Sequence, residues 1–518
     1  MKVHRVKGLN KLRGEWKIST WTMTRDVFPS LLLVLSVVGT SRGCLQDPAA
    51  AHRVTGAVCR LTHPAAAVLN EKTTKVIEAA FQHARYPSVT GEKSMLFVGK
   101  VKYGLDNLEI HNLTIGRSAF ELLPGEGVAM DISNVSATFR GTIRYGYGSW
   151  LVNVAHSIDF EIESHIDLGI NPKLYCGEGK VAADTSDCYL NFHKLQLHLQ
   201  GDREPNWLKR LFTDFITFTV KLVIKGQICK EINKVANILA DFIQSTAEQF
   251  LSDGNISFDI GVTTAPVITA NYIESYHKGF TRYNNTTAAV RDSGFQPTQL
   301  TEHRMLYFWV SDQVFNPLIA AAHKDGRFQL NVSGAELTEL FKKNLSSATP
   351  EFFRKCLLES GSPELSVWSS AVPFLNTSTL GTTVWAEASG KLSCGNQTPA
   401  LFFQTDLVVD VWASYADKKL FLQGKPSEVF VIRADRPSLN QTLVDELEFL
   451  REAVEKVGIP KVMSVLEVEV TRVLDKQGTN QFDIFNPEVL PQDGFVVIQM
   501  DFGFPHHLLV EFLKKTLQ

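Results

Sequence analysis

The sequence predicts an α+β protein of two half-alike modules, each a curved antiparallel sheet around a long helix, with an amphipathic helix at the C-terminus. Three observations predict it. Strand-like segments alternate apolar with acidic or amide residues, as a sheet with one wet face requires. From Trp207 to Leu251 no proline interrupts a long run of helical apolar spacing. The order helix, strands, helix, strand then occurs twice. At 518 residues the chain is too long for one core, and two domains of roughly 200 residues each follow.

Hydrophobic residues make up 44% and charged ones 21%, which excludes general disorder. A net charge of -3 leaves no broad basic footprint, so nucleic acid is excluded as a partner. The same balance weighs against a cationic protein that seeks bacterial surfaces. Phe is abundant, 33 residues against 11 Tyr. Either the cores are large or something apolar is bound.

Ser30–Val38 is a short apolar run followed by small residues, the pattern of a signal peptide over 1–43 with the mature chain beginning near Cys44. Residues 1–22, ahead of Met23, read as an extended basic region or a start placed too early. The run is too short to span a membrane. Seven cysteines without a CxxC fit secretion and argue against a zinc ribbon. So do several N-x-S/T sequons, among them Asn112, Asn134, Asn285, Asn376 and Asn440.

In chain order, Pro64–Tyr86 reads as a helix, with Val68, Leu69, Val76, Ile77, Ala80 and Phe81 on one face. Met95–Tyr103, Leu105–Ile115, Val128–Ile132 and Val135–Tyr145 read as short strands separated by Gly or Asn. In Ile158–Ile170, apolar residues alternate with Asp159, Glu161, Glu163, His165 and Asp167. Leu195, Leu197 and Leu199 alternate in the same way. The helix from Trp207 to Leu251 carries Phe215, Phe218, Leu222, Ile228, Ile232 and Phe242 as a plug for the sheet, and Asp253-Gly254 stops it. Tyr283–His303 is polar and aperiodic, a linker. The second half brings a helix at Ser311–Lys324, then strands at Phe328–Val332, Thr382–Ala388, Leu407–Tyr415 and Lys419–Leu422. A helix at Leu439–Val457 precedes strands at Val465–Leu474 and Phe495–Phe502. Pro505–Gln518 closes the chain as about 21 Å of helix, with Leu508, Leu509, Phe512, Leu513 and Leu517 on one face and Lys514 and Lys515 at its C-terminal end.

The chain holds no nucleophile elbow, no HExxH, no Walker loop and no dinucleotide fingerprint. His193 and His198, five apart on an alternating strand, face opposite ways and make no metal site. No catalytic residue and no metal ligand emerges. An enzyme reading would need a triad without a sequence signature.

Several blocks resemble one family of secreted lipid-binding proteins: KYGLDNLEIHNLTI, SIDFEIESHIDL, CYLNFHKLQLHLQGDREP, VIKGQICKEIN, RMLYFWVSDQVFNPL, SYADKKLFL and the C-terminal QFDIFNPEVLPQDGFVVIQMDFGFPHHLLVEFLKK. The family is that of the bactericidal/permeability-increasing, lipopolysaccharide-binding and phospholipid transfer proteins. The resemblance covers almost everything after about Val54. It implies an elongated boomerang in which two barrel-like modules are joined by a central sheet. It implies a signal peptide at 1–43, an N-terminal lipid-binding module at 44–283, a linker at 284–304, a C-terminal module at 305–504 and the tail helix at 505–518, which would cover a tunnel opening. It implies no enzyme and no cofactor, but a monomeric carrier with cholesteryl ester, triglyceride and phospholipid as cargo. The partners would be lipoprotein surfaces (HDL, LDL and VLDL). Gln244, Ser275 and His277 match the family's polar lipid-contacting positions. Cys188 and Cys229 match its helix–strand disulfide, and Asn134, Asn285, Asn376 and Asn440 its glycosylation sites. Thr246 stands where a basic residue is expected. Cys356 and Cys394 match no known pair, and the resemblance is poor over Ser346–Thr398.

Overall fold

The computed structural model describes residues 44–503 except 69, 71–73, 75–77, 79–85, 96–98, 150–151, 201–205, 294–302, 343–348, 360–361, 396–399, 417–418, 436–443 and 477–482. The expected signal peptide at 1–43, the expected tail helix at 505–518 and Asn440 therefore lie outside the described residues. The described residues form one compact unit, and the architecture is α+β, dominated by antiparallel sheet.

The N-terminal sheet runs in the order Val89–Met95, Gly99–Leu123, Gly127–Ser149, Val152–Ile170 and Cys188–Leu199. Its strands are longer than the predicted ones. The segment breaks read at Asn134 and elsewhere are bulges inside continuous strands, with positive φ at Asn107 and Asn134 and shifted register beside both. Bulges bend the sheet without ending it. The concave face buries Leu105, Phe139, Ile143, Phe160, Ile162 and Ile170. Val220, Ile224 and Ile228 of the helix Asn206–Leu251 fill that face. The helix is 46 residues long, about 69 Å. It ends before Gly254, whose φ of +59 only glycine adopts freely.

Cys44–Cys176 and Cys188–Cys229 pin this frame, and Cys356–Cys394 lies in the C-terminal half. Cys188–Cys229 joins the edge strand to the long helix across 5.9 Å between Cα atoms. Cys59 remains a free thiol. Residues 64–68, 70, 74 and 78 of the predicted Pro64–Tyr86 helix are helical.

A central sheet draws on both halves. Its order is Val267–Ile268, Tyr272–His277, Ala57–Thr62, Leu306–Ser311, Phe495–Gly503 and Asp483–Gln492, all antiparallel. The polar stretch after Tyr283 is not wholly irregular: Thr286–Ala288 pairs with Phe280–Tyr283. Val290 is buried against Phe258 and Val314.

The C-terminal sheet runs Gln329–Ser333, Pro363–Ser369, Gly381–Cys394, Leu401–Ala416 and Lys419–Asp435, with Phe374–Ser378 also on Gly381–Cys394. Its core centres on Phe353, Phe403, Leu337, Leu450 and the Cys356–Cys394 bridge. One element is corrected. Val465–Leu474, read as a strand from its Val/Glu alternation, belongs to the helix Ile459–Lys476. The same residues also satisfy the helical period, and packing decides between the two. Ile459 and Met463 lie against Val409 and Val429. At Gly424 an added Cβ would come within 3.1–3.2 Å of Met463 and Ile459, so the helix seats directly on bare backbone.

Candidate functional site

The central sheet has two unlike faces, because its strands alternate. One face is sealed: Val58, Tyr276, Tyr307, Trp309, Phe495 and Val497 pack together. Set into it is an ion pair, Arg60 Nε and Nη2 both 2.7 Å from Glu274 Oε2, with side chains 4% and 3% exposed. The guanidinium also lies 3.9 Å over the Tyr272 ring and 5.2 Å from the Trp309 ring. The Tyr276 hydroxyl donates to Glu274 Oε1, and burial together with this carboxylate raises the phenol's pKa.

The other face carries Ala57, Cys59 and Leu61, then Ile273, Ser275 and His277, then Leu306, Phe308 and Val310, then Val496, Ile498 and Met500, each half-buried. This is an apolar, incompletely covered surface with two polar side chains in it. Ser275 Oγ lies 2.8 Å from His277 Nε2, and His277 Nδ1 lies 2.8 Å from the Ile260 carbonyl oxygen. A carbonyl only accepts, so Nδ1 carries the proton, Nε2 accepts, and the Ser275 hydroxyl donates to it. Burial lowers the His277 pKa against the opposing pull of the Ile260 carbonyl, so the ring stays neutral. The pair offers hydrogen bonds without a charge. A neutral ester in a greasy site needs that kind of partner.

Next to Ser275, across the strand pair, sits Cys59. Burial, then the Glu274 charge, pushes its thiol up to about 12, which removes it as a nucleophile. The Ser–His contact has the reach of the first two members of a triad, but the third is missing. Nδ1 is satisfied by backbone, and Glu274 points to the opposite face, where Arg60 holds it. Sequence reading missed Cys59, Arg60 and Tyr276 as neighbours of this site. The alternation within Ala57–Thr62 was the available signal, but which strand lies beside it was not.

Gln244 is half-buried on the long helix and donates to Glu248 Oε1 at 3.0 Å, one turn on. No hydrogen bond among the described residues links it to Ser275 or His277. Asn134, Asn285 and Asn376 are exposed, as glycan acceptors must be. His193 and His198 do not face opposite ways. The bulge at His193, skipped between the pairs Ile166–Phe192 and His165–Lys194, turns both rings outward. His193 Nε2 bonds Asp167, and among the described residues no group of side chains could hold a metal ion.

Among the described residues, the concave face of the N-terminal sheet is closely packed around Val220, Ile224 and Ile228. The apolar pocket between Ile110, Leu113, Phe139, Ile166 and Ile228 measures about 20 Å³, room for about one water. A larger hollow of about 460 Å³ beside Lys173, Tyr175, Ala183, Asp184, Asn233 and Asn237 is polar and open. Neither of these two hollows suits an acyl chain, and the half-covered face of the central sheet is the candidate among the described residues.

Comparison with known proteins places this arrangement. Residues 67–244 match the N-terminal domain of the LBP / BPI / CETP family and residues 251–376 its C-terminal domain. The cholesteryl ester transfer protein of Homo sapiens is 44% identical over 492 residues, covering 93% of this chain and 98% of that protein. The chain belongs to the LBP / BPI / CETP family. Within it, the cholesteryl ester transfer protein of Gallus gallus is 43% identical over 94% of this chain and 97% of that protein. The lipopolysaccharide-binding protein of Homo sapiens is 25% identical over 59% of this chain and 62% of that protein. The LBP / BPI / CETP family is one of lipid-handling proteins, and the chain is not an enzyme. Among the described residues no helix is long and apolar enough to cross a membrane.

Proposed function

We propose that this protein is a secreted, monomeric carrier that moves cholesteryl ester and triglyceride, with phospholipid, between lipoprotein particles (HDL, LDL and VLDL) without bond chemistry. The observation that carries the reading is the half-buried apolar face of the central sheet with the neutral Ser275–His277 pair in it. Each methylene moved out of water is worth about 0.8 kcal/mol, so free ester crosses water slowly and a continuous apolar lining lowers that barrier. Ser275, His277 and Gln244 hold the polar end of the lipid. The modules 44–283 and 305–504, joined through 284–304, form the ends of an apolar tunnel. The tail 505–518 covers its opening, using Leu508, Leu509, Phe512, Leu513 and Leu517. Glycans on Asn134, Asn285, Asn376 and Asn440 keep the exterior wet.

Identity supports the neutral-lipid reading over its rival. Relatives named for cholesteryl ester transfer stand at 42–44%, against 24–25% for lipopolysaccharide-binding protein, and the net charge of -3 suits lipid A poorly. The test is transfer of labelled cholesteryl ester and labelled phospholipid between particles, with the full chain and with residues 505–518 deleted. Ester transfer should fall while phospholipid transfer persists. Equal ester transfer by both proteins overturns the covering role of the tail. No ester transfer by the full chain overturns the carrier reading.

A further inference from the structure

The long helix was expected to bury Phe218 and Leu222, and it does not. Its packed stripe is Val220, Ile224 and Ile228, spaced one turn apart. Phe218 and Leu222, also one turn apart, are 69% and 63% exposed, among the barest large apolar side chains described. Lys221 and Lys225 are exposed on the same stretch, again one turn apart, and Gly226 next to them has open space around it. Lys221 Nζ lies 5.7 Å above the Phe192 ring of the neighbouring strand. Two parallel rows result, one greasy and one cationic, on a rigid helix that Cys188–Cys229 ties to the sheet.

We infer that this helix face is where the protein docks on a phospholipid surface, with Phe218 and Leu222 entering the acyl boundary and Lys221 and Lys225 meeting headgroup phosphates. The inference rests on the carrier reading above and adds the surface by which the carrier meets a particle. Apolar side chains beside lysines are what an interfacial helix presents to lipid, and exposed apolar residues on a folded element mark an interaction site. Charge selects the occupant. The tail 505–518 carries Lys514 and Lys515 against a single acidic residue, Glu511, and so does not complement the two lysines here. A second copy of the same face would set lysine against lysine. A phosphate-bearing surface complements both rows.

The test is co-flotation of the full chain with vesicles of phosphatidylcholine, and of phosphatidylcholine with phosphatidylserine. Phe218→Ser with Leu222→Ser should raise the lipid needed for half-binding by about tenfold or more on both vesicles. Lys221→Gln with Lys225→Gln should cost about fivefold per lysine on the anionic vesicles alone and flatten the salt dependence there. In a third variant, Phe218→Trp, the added indole should shift its emission to the blue on vesicle binding. Because both apolar residues are exposed, the serine variant should unfold at the parent's denaturant midpoint; if it does not, the tryptophan variant decides. Parent-like flotation of the serine variant overturns the proposal. So does an unshifted indole in vesicle-bound protein, or loss of flotation on deleting 505–518 while the serine variant still binds. Ester extracted from the purified parent tests the carrier reading separately. Its absence would sink that reading whatever the vesicles show, and its presence in the serine variant would leave docking as the step lost.

Discussion

Removing one partner of the Arg60–Glu274 pair should damage the protein far more than removing both. The two side chains are 4% and 3% exposed, so each charge depends on its protein neighbours rather than on water. Glu274→Ala leaves a buried guanidinium without its carboxylate, which costs about 3–5 kcal/mol in comparable sites. The Tyr272 ring at 3.9 Å offsets about 1–2 kcal/mol of that. The Tyr276 hydroxyl loses its acceptor, which adds about 1–3 kcal/mol. The sum is about 4 kcal/mol. In the double variant Arg60→Met with Glu274→Leu, apolar groups meet Tyr307, Trp309 and Val497, and only the tyrosine's loss remains, about 1–3 kcal/mol. Arg60→Met alone strands a carboxylate and should cost about as much as Glu274→Ala. Equilibrium urea unfolding of the four proteins, disulfides intact, gives the coupling directly. A coupling of about 3 kcal/mol or more is expected. If the two single costs simply add in the double variant, the pair is not coupled, and the sealed face of the central sheet has been misread.

Other outcomes follow from the same structure. Cys188→Ser with Cys229→Ser opens a loop of sequence separation 41 and should cost about 4 kcal/mol in unfolding free energy. Limited proteolysis should then cut near the long helix first. Phe139 is fully buried, and Phe139→Ala should lower stability by about 3–5 kcal/mol; a loss under about 1 kcal/mol would mean the barrel core is not packed as described. For His277, the folded pKa is depressed, so below the ordinary imidazole value of about 6.5 the unfolded chain binds a proton the folded one refuses. Stability should therefore fall as pH drops from about 7 toward the depressed folded value, and His277→Gln should lose less over the same range. Equal pH slopes for the two proteins would place the ring in water.

Much of the fold was legible because its signals are local. Alternation in Ile158–Ile170 fixes which residues face the core, and Ile162 and Ile166 do lie inside. The long helix announces itself by uninterrupted spacing and a stop at Gly254. The failures are those where two periods coexist. Val465–Leu474 alternates like a strand and also repeats like a helix, and only its seat on Gly424 settles the matter. Phe218 and Leu222 lie in an apolar run wider than one helical face, so spacing alone could not tell which stripe is buried. His193 and His198 were misplaced by one bulge, which no composition rule marks. The site was least legible of all. Cys59 and Ser275 are 216 positions apart and meet only because their strands are neighbours in the central sheet.

The strand pairing of that sheet also explains why polar chemistry sits on both sides of it without conflict. Glu274 and Ser275 are consecutive, so one must face each way. On the sealed side a charge is tolerable because Arg60, Tyr272 and Tyr276 surround it. On the half-covered side a charge would repel neutral lipid and draw water into the apolar face. There the residues are Ser275, a neutral His277 and a thiol pushed up to about 12, all uncharged near neutral pH. Replacing Ser275 by Asp should test the distinction. The carboxylate should depress bound ester while Ser275→Ala leaves most of it in place. Ester content after purification is the measurement. Undiminished ester in the Asp variant would show that cargo does not lie against this face.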